Sequence, residues 1–416
     1  MRFFPLPTTR GGLLILLTAA AMAVAFMNSG LITALTAALL AAVVLAAFIM
    51  ACFSISGLEL VRTFLHDGVC GNPLYLEITV KNKLPFYRQS CTFHENYPFV
   101  ISGRNAFVIP ALAPHEKRVL PCCIQAEKRG EYFPEKVFVC SGDPWGLFRK
   151  KKKFHLPARL DIYPRLLHPE NLAVFNKKGN MPDPDGRNLG HAGRGSEFFG
   201  VRPFRTGDEM RHIHWKATAS KGQLMVKEFE ATAVDQIVIL LDTEKKNTGF
   251  DLCDNNLEFL ISCAFSITEY LSKRYCHLRF FAADGPEGLH HLTGDGASLK
   301  GKLRRLLTLL RPSTPAFQTV LAAAAENIPQ RSIVCLLTMS LEKVPEYIRI
   351  LEEQDCTCFW IYAPKEAFPP IEQDTPRFLN REKIKKQLEN LPEPPVVADF
   401  TSGAEILEAG EGYEKL

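Results

Sequence analysis

The chain has 416 residues, 47% of them hydrophobic, 10% aromatic and 23% charged, with a formal net charge of +4. That length allows roughly two to three domains of about 150 residues. The apolar and aromatic content excludes a disordered chain, no fixed long period supports a coiled coil or repeat array, and so small a net charge gives no ground for nucleic-acid binding. The mean hydropathy of −0.01 hides an uneven distribution, because Gly11 to Phe53 carries no charged side chain at all.

Those 43 residues would make a helix of about 65 Å, twice what a bilayer core of about 30 Å needs. Asn28-Ser29-Gly30 is a turn-forming triplet that divides them. It predicts two spans of a hairpin, Leu13 to Met27, with a start nearer Thr9 also open, and Leu31 to Phe53. The competing reading is a cleaved signal peptide, since an Ala-rich stretch follows Arg2 and Arg10. A second long apolar run directly behind it argues for the hairpin. Arg2 and Arg10 precede the first span, the turn is uncharged, and Arg62 follows the second. The positive-inside rule then places both ends of the hairpin, both termini and the soluble domains in the cytoplasm. The 12 cysteines are scattered, several in apolar runs such as Cys335 within Ile333 to Leu337, and read as small hydrophobes. Neither Cys122-Cys123 nor Cys356-x-Cys358 has a second pair at zinc-ligand spacing.

Residues 57–165 show short alternating runs between turn residues. Leu74 to Val80 alternates well and is ended by Lys81-Asn82-Lys83-Leu84-Pro85. Phe107 to Ile109, Arg118 to Leu120 and Lys136 to Cys140 predict further strands, together a β-sandwich domain. Residues 166–234 contain Met181-Pro182-Asp183-Pro184-Asp185-Gly186 and then a dense polar and aromatic stretch. They predict a loop segment with little regular structure apart from Leu224 to Val226, and loops of that length are often functional.

Residues 235–416 alternate strand and helix. Ile237 to Leu241 is an apolar run of the kind buried in a parallel sheet. A helix follows with Leu257, Leu260, Ile261, Ala264, Ile267 and Leu271 on one face, capped by Asp254 or Asn255. Leu278 to Ala282 is the next strand, and Leu299, Leu303, Leu306, Leu307 and Leu310 mark another helix. Strands are predicted again at Ile333 to Leu337, Thr357 to Tyr362 and Val396 to Phe400, with helices near Glu342 to Gln354 and Arg381 to Leu391. The chain is therefore expected to be multi-domain, with a transmembrane helical hairpin over 1–56, the β-sandwich in the middle, and an α/β doubly wound domain at the end.

The most distinctive stretch runs from Gly193 to Glu230. It holds Gly195-Ser196-Glu197-Phe198, Arg202-x-Phe204, Gly207-Asp208, Arg211-x-Ile213-x-Trp215-Lys216 and Val226-Lys227-Glu228-Phe229. Upstream stand Lys128-Arg129-Gly130-Glu131-Tyr132, Asp143-Pro144-Trp145-Gly146-Leu147-Phe148 and Ile162-Tyr163-Pro164. This ordered set resembles the bacterial family catalogued as domain of unknown function 58. The resemblance implies two membrane helices in the bacterial inner membrane, a β-rich middle, and a C-terminal domain similar to von Willebrand factor type A. It also implies a partner, because members of the family commonly occur beside MoxR-type AAA+ ATPases.

Between Arg187 and Glu230 there are eight Lys or Arg against five Asp or Glu. Arg202, Arg205, Arg211 and Lys216 interleave with Trp215, which suits a phosphate, nucleic acid or an acidic protein surface. In the competing reading Glu197 and Asp208 pair with these arginines and pin the segment in place. Glu197, Arg202, Arg205, Asp208, Arg211, Trp215 and Lys216 are thus the candidate ligand- or partner-binding residues. No GxxxxGK[ST] accompanies Gly190, Gly193 and Gly195, and Ser196 does not sit in a G-x-S-x-G elbow. His212 and His214 would share a face if extended, yet have no evident third ligand.

Metal-binding members of the type A class carry Asp-x-Ser-x-Ser after the first strand. The corresponding residues are Asp242-Thr243-Glu244-Lys245-Lys246, with Glu244 and Lys246 at the two serine positions. An ammonium has no lone pair to give a cation, so the site at Asp242, Glu244 and Lys246 is degenerate and no metal is expected. The basic run Arg149 to Lys153 reads either as a solvated turn or as a patch facing anionic lipid. The expected function is a non-enzymatic membrane-anchored scaffold that needs no cofactor, contacts other proteins and binds no nucleic acid. The alternative is an envelope-associated enzyme using Asp208, His212 or His214.

Overall fold

The computed structural model describes residues 4–28, 30–100, 106–167, 187–204, 213–233, 235–249, 251, 254–273, 276–286, 288–368, 386, 388 and 395–397, with backbone only at 28, 187–199, 228–233, 235 and 396. The chain divides after Tyr163 into two compact units.

The first unit opens with a short strand, β1 (Leu6–Pro7), and two helices, α1 (Thr9–Asn28) and α2 (Leu31–Phe53). Both are long and apolar enough to cross a membrane. Helix α1 starts at Thr9 because the Thr8 hydroxyl accepts from Gly11 N at 3.2 Å, an N-cap that satisfies one orphan donor. Most of the apolar surface of both helices is uncovered, including Leu13, Leu16, Leu31, Ile32 and Leu35. So large an exposed apolar area suits a lipid surround and not water.

The strands that follow are β2 (Leu58–Phe64), β3 (Gly68–Val69), β4 (Pro73–Asn82), β5 (Cys91–His94), β6 (Ala106–Ile109), β7 (Lys117–Gln125), β8 (Gly130–Tyr132), β9 (Lys136–Gly142), β10 (Phe148–His155) and β11 (Leu160–Tyr163). They form sheets in the orders β1-β10-β9-β5-β6, β2-β4-β7 and β3-β11-β8. Alternate residues of β4 point inward, and Leu74, Leu76, Ile78 and Val80 meet Phe93, Ile109, Val137, Val139 and Ile162 in one apolar core. Strand β2 places a cation on its inward face. Arg62 pairs with Glu95, both side chains almost wholly buried, and also donates to the carbonyls of Pro134 and Leu156. Arg62 was expected to mark the cytoplasmic end of the hairpin; in the folded unit its charge is spent in the core.

The basic run is a strand and not a turn. Arg149 to His155 pair with β9 on one side, and Phe148 and Arg149 pair with β1 on the other. Before it, Asp143 closes an Asx-type turn, its carboxylate accepting from Trp145 N at 2.9 Å and Phe148 N at 2.5 Å. The turn presses Leu147 and Phe148 against Ala47 and Ala51 of α2, with Leu14, Val43 and Phe48 beside them. Thr8 N donates to the Leu147 carbonyl at 2.8 Å, and Gly11 lies so close that a Cβ there would strike that carbonyl. Gly11→Leu is therefore expected to destabilise the detergent-solubilised chain by about 1–3 kcal/mol through overpacking. Gly12→Leu, where no atom lies within 4 Å of the added Cβ, should leave the melting temperature unchanged in the same scan.

The second unit begins with an antiparallel ribbon, β12 (Arg187–Pro203) against β13 (Met225–Ala233), with a short helix α3 (Trp215–Lys221) between them. This corrects the expectation of a segment with little regular structure. The register shifts at three places along β12, so no clean alternation marks it as a strand. Beyond it come β14 (Asp235–Leu241), α4 (Asn256–Leu271), β15 (Cys276–Asp284), β16 (Gly288–Asp295), α5 (Gly296–Leu309), α6 (Phe317–Ala325), β17 (Ile333–Thr338), α7 (Val344–Glu353), β18 (Thr357–Tyr362) and β19 (Val396–Val397). Asn255 caps α4, accepting from Glu258 N at 2.8 Å. The helix expected over Arg381 to Leu391 and the end of the last strand lie almost wholly outside the described residues.

These strands make one sheet in the order β16-β15-β14-β17-β18-β19, antiparallel at β16 and parallel elsewhere. Val238, Leu240, Val334 and Leu336 face Phe317 and Val320 of α6 and Val344 and Ile348 of α7. Their sequence neighbours Ile237, Ile239 and Cys335 are equally buried and lie on the opposite face, where α4 packs on β14 and β17 and α5 on β15 and β16. Helices on both faces explain why β14 is apolar throughout Ile237 to Leu241 and β17 throughout Ile333 to Leu337.

Candidate functional site

Two places carry the residues singled out in the sequence, both in the second unit. The first is the ribbon with its short helix. His214 Nδ1 accepts from Ala217 N at 3.1 Å and so caps α3, while Gly222 ends that helix at φ +67°. Ile213 is buried and bridges to Val226, and Phe204 N donates to the Leu224 carbonyl at 2.9 Å. Thr218 Oγ1 accepts from Met225 N at 3.0 Å, tying α3 to the start of β13.

On this frame Trp215 is 67% exposed and Lys216 is exposed beside it. Arg202 is half-buried on β12, opposite Val226, and donates to the Pro203 carbonyl at 3.1 Å. Glu197 lies on β12 with its side chain outside the described residues. Arg205, Asp208, Arg211 and His212 lie outside them altogether. Arg202 and Ile213 both pair with Val226, so Arg202 and the start of α3, with Trp215 and Lys216, flank β13 from its two sides. The structure also gives His214 a capping role that leaves Nδ1 no lone pair for a metal or a proton.

The second place is the carboxyl end of the sheet where its strand order reverses, between β14 and β17. In open α/β sheets ligands bind in that crevice. Here Asp242 bridges it. One carboxylate oxygen accepts from Glu244 N and the other from Met339 N, each at 2.9 Å, and Asp242 N donates to the Leu337 carbonyl at 2.8 Å. Burial pushes the Asp242 carboxyl up to about 7, against the two backbone hydrogen bonds that favour its charge.

Glu244 is buried too. It pairs with Lys246 Nζ at 2.9 Å and accepts from Asn247 Nδ2 at 3.2 Å and Phe317 N at 3.4 Å. Lys246 is thus the charge partner of Glu244. Sequence reasoning missed Ser313, whose backbone pairs with Thr243 and Lys245 and whose hydroxyl lies 3.0 Å from that of Thr243. Its only local signal is a Pro-Ser-Thr-Pro run between two helices. Thr338, at the end of β17, accepts from Trp360 Nε1 at 2.8 Å. Among the described residues no three His, Cys, Asp or Glu side chains are grouped as a metal site.

Comparison with known proteins follows the same part of the chain. Residues 200–341, from the second half of the ribbon to the end of β17, match the family model described as Protein of unknown function DUF58. Over 239 residues the chain is 27% identical to a protein of Bacillus subtilis (strain 168) called Uncharacterized protein YeaD. That alignment spans 55% of this chain and 59% of the relative, so the chain covers well under two thirds of that protein's length. Among solved structures, β-glucosidase from Listeria innocua superposes over 26% of this chain and 16% of its own, at a TM-score of 0.18 and 15% identity. A GH20 exo-β-N-acetylglucosaminidase from Vibrio harveyi covers 74% of this chain and 57% of its own, at a TM-score of 0.18 and 9% identity. Superpositions that weak transfer neither a fold nor an activity.

Proposed function

We propose that this chain is a membrane-anchored, non-enzymatic scaffold of the bacterial inner membrane, held by its helical hairpin with both units in the cytoplasm. The second unit reads as von Willebrand factor type A-like, which its reversal of strand order and antiparallel third strand support. The first reads as a β-sandwich, supported by sheets closing over one apolar core. The observation that carries the scaffold reading is the filled crevice at Asp242. Where an enzyme or a metal-dependent module would keep an open carboxylate, Asp242 is held by two backbone N–H groups and Glu244 by Lys246. Trp215 and Lys216 meanwhile offer an exposed aromatic and a cation on a capped helix, the kind of pair that anchors protein interfaces.

The partner to test first is a MoxR-type AAA+ ATPase, which the family resemblance supplies. Crosslinking and pull-down of the full chain from native membranes, with and without ATP, is expected to recover such an ATPase. The Trp215→Ala chain should recover at most about a tenth as much, as for an interface hot spot. Recovery of no ATPase in either nucleotide condition would overturn the proposal.

A further inference from the structure

The base of the hairpin combines three features that the scaffold reading leaves unused. The first is the direction of β10. Phe148 lies edge-on to Phe48, ring centroids 5.5 Å apart, and two residues later Lys150 Nζ donates to the Cys52 carbonyl at 2.6 Å. Two strand residues advance about 7 Å while α2 advances about 6 Å from Phe48 to Cys52. Strand and helix therefore run the same way, and Lys151, Lys152 and Lys153 extend past the end of α2 by a distance on the order of 3–10 Å.

The second feature is charge. Arg149, Lys151, Lys152 and Lys153 are exposed and make no ion pair among the described residues. The chain has no acidic residue from Met1 to Leu58 or from Pro144 to Leu160. Lys151 and Lys152 lie over the rings of Phe138 and Phe154, at 4.2 and 4.9 Å, which holds their stems against the sheet. Lys150 and Arg88 differ from these, because they cap carbonyls at the end of α2, Cys52 for the first and Ser54 and Ser56 for the second.

The third is an aromatic layer at the same level. Trp145 is 53% exposed at the tip of the turn whose next two residues pack on α2. Across a groove from Ile49, Met50 and Phe53 of α2 stand Phe86 and Tyr87, also exposed. Exposed tryptophan and tyrosine flanked by cations at the end of a span mark the interfacial layer of a bilayer.

We propose that this face seats the first unit on an anionic lipid surface, with Trp145, Phe86 and Tyr87 in the interfacial layer and the free cations of β10 among the headgroups. The proposal rests on the membrane-anchored reading above. The full chain carrying Trp215→Phe leaves Trp145 as the exposed tryptophan, Trp360 being buried in the other unit. That protein, in nanodiscs of phosphatidylcholine and phosphatidylglycerol, is compared with either lipid brominated at equal mole fraction. Brominated phosphatidylglycerol is expected to quench Trp145 at least about two-fold more strongly, since each cation near the surface favours anionic lipid several-fold. The preference should vanish in 0.5 M salt and in the chain with Lys151→Gln, Lys152→Gln and Lys153→Gln, which keeps the Lys150 cap. Equal quenching by the two lipids in low salt would overturn the headgroup proposal while leaving the anchored reading intact. A preference that survives the triple substitution would overturn its assignment to β10. Absence of quenching by either lipid would place Trp145 away from the bilayer and overturn the seating, whereas failure of the chain to enter nanodiscs would sink the anchored reading itself.

Discussion

Replacing Arg62 with alanine is expected to destabilise the first unit by about 3–5 kcal/mol, as for other buried ion pairs that lose one partner. The loss follows from what remains. Glu95, 1% exposed, would keep only the Tyr97 hydroxyl at 2.6 Å, and the carbonyls of Pro134 and Leu156 would lose their donor. A carboxylate in that position has neither water nor a countercharge. Glu95→Leu in the Arg62→Ala background should recover part of the loss, because the uncompensated charge is gone while the orphaned carbonyls remain. Urea unfolding of the detergent-solubilised full chain, with Trp215→Phe and Trp360→Phe leaving Trp145 as its single tryptophan, reads the first unit by fluorescence. An unchanged midpoint for Arg62→Ala would show that the pair contributes nothing net.

The second large effect concerns Asp242. Its carboxyl is pushed up to about 7, chiefly by burial, against an unfolded-state value near 3.8. Between about pH 4 and pH 7 the folded protein therefore holds a proton that the unfolded chain has lost. The stability contributed by this group falls as pH rises through that window and is level above it. A shift of about three units corresponds to ~4 kcal/mol across the window. Thermal unfolding of the chain with Trp145→Phe and Trp215→Phe, monitored by Trp360, should accordingly move to lower temperature from pH 5 to pH 8. Asp242→Asn, which cannot ionise, should flatten that change while lowering stability throughout, since one of the two N–H donors then faces an amide N–H. An identical pH slope in the two proteins would exclude Asp242 as its origin. Asp242→Ala should destabilise at every pH, because Glu244 N and Met339 N each lose a buried acceptor worth about 1–3 kcal/mol.

Much of the architecture was legible where local chemistry repeats. Helix α2 and strand β18 occupy the very residues that their apolar runs predict, Leu31–Phe53 and Thr357–Tyr362. Strand β4 follows its alternation and α4 takes the cap expected of Asn255. Elements that depend on distant partners were not legible. Five consecutive cations predict a solvated turn, yet β10 is a strand because β1 and β9 flank it and two phenylalanine rings take the lysine stems. The ribbon of β12 and β13 was missed because its register slips hide any period. Helix α6 was missed because its nine residues are too few for a helical period to stand out.

The candidate site divides in the same way. That Lys246 has no lone pair to offer a cation could be read from residue type alone. That Ser313 and Met339 complete the closure of the crevice depends on contacts with Thr243 and Asp242 across some 70 and 97 residues of chain.

The uneven distribution of charge already marked a 43-residue uncharged stretch whose two apolar runs are each long enough to cross a membrane as a helix. Which cations near that hairpin are committed and which are free was settled by folding. Arg62 is neutralised in the core, Arg88 and Lys150 cap the end of α2, and Arg149 and Lys151 to Lys153 remain at the surface. Burial and pairing are made by contacts between residues tens of positions apart, and a charge carries the same letter in the sequence whether it meets a carboxylate, a helix end or solvent.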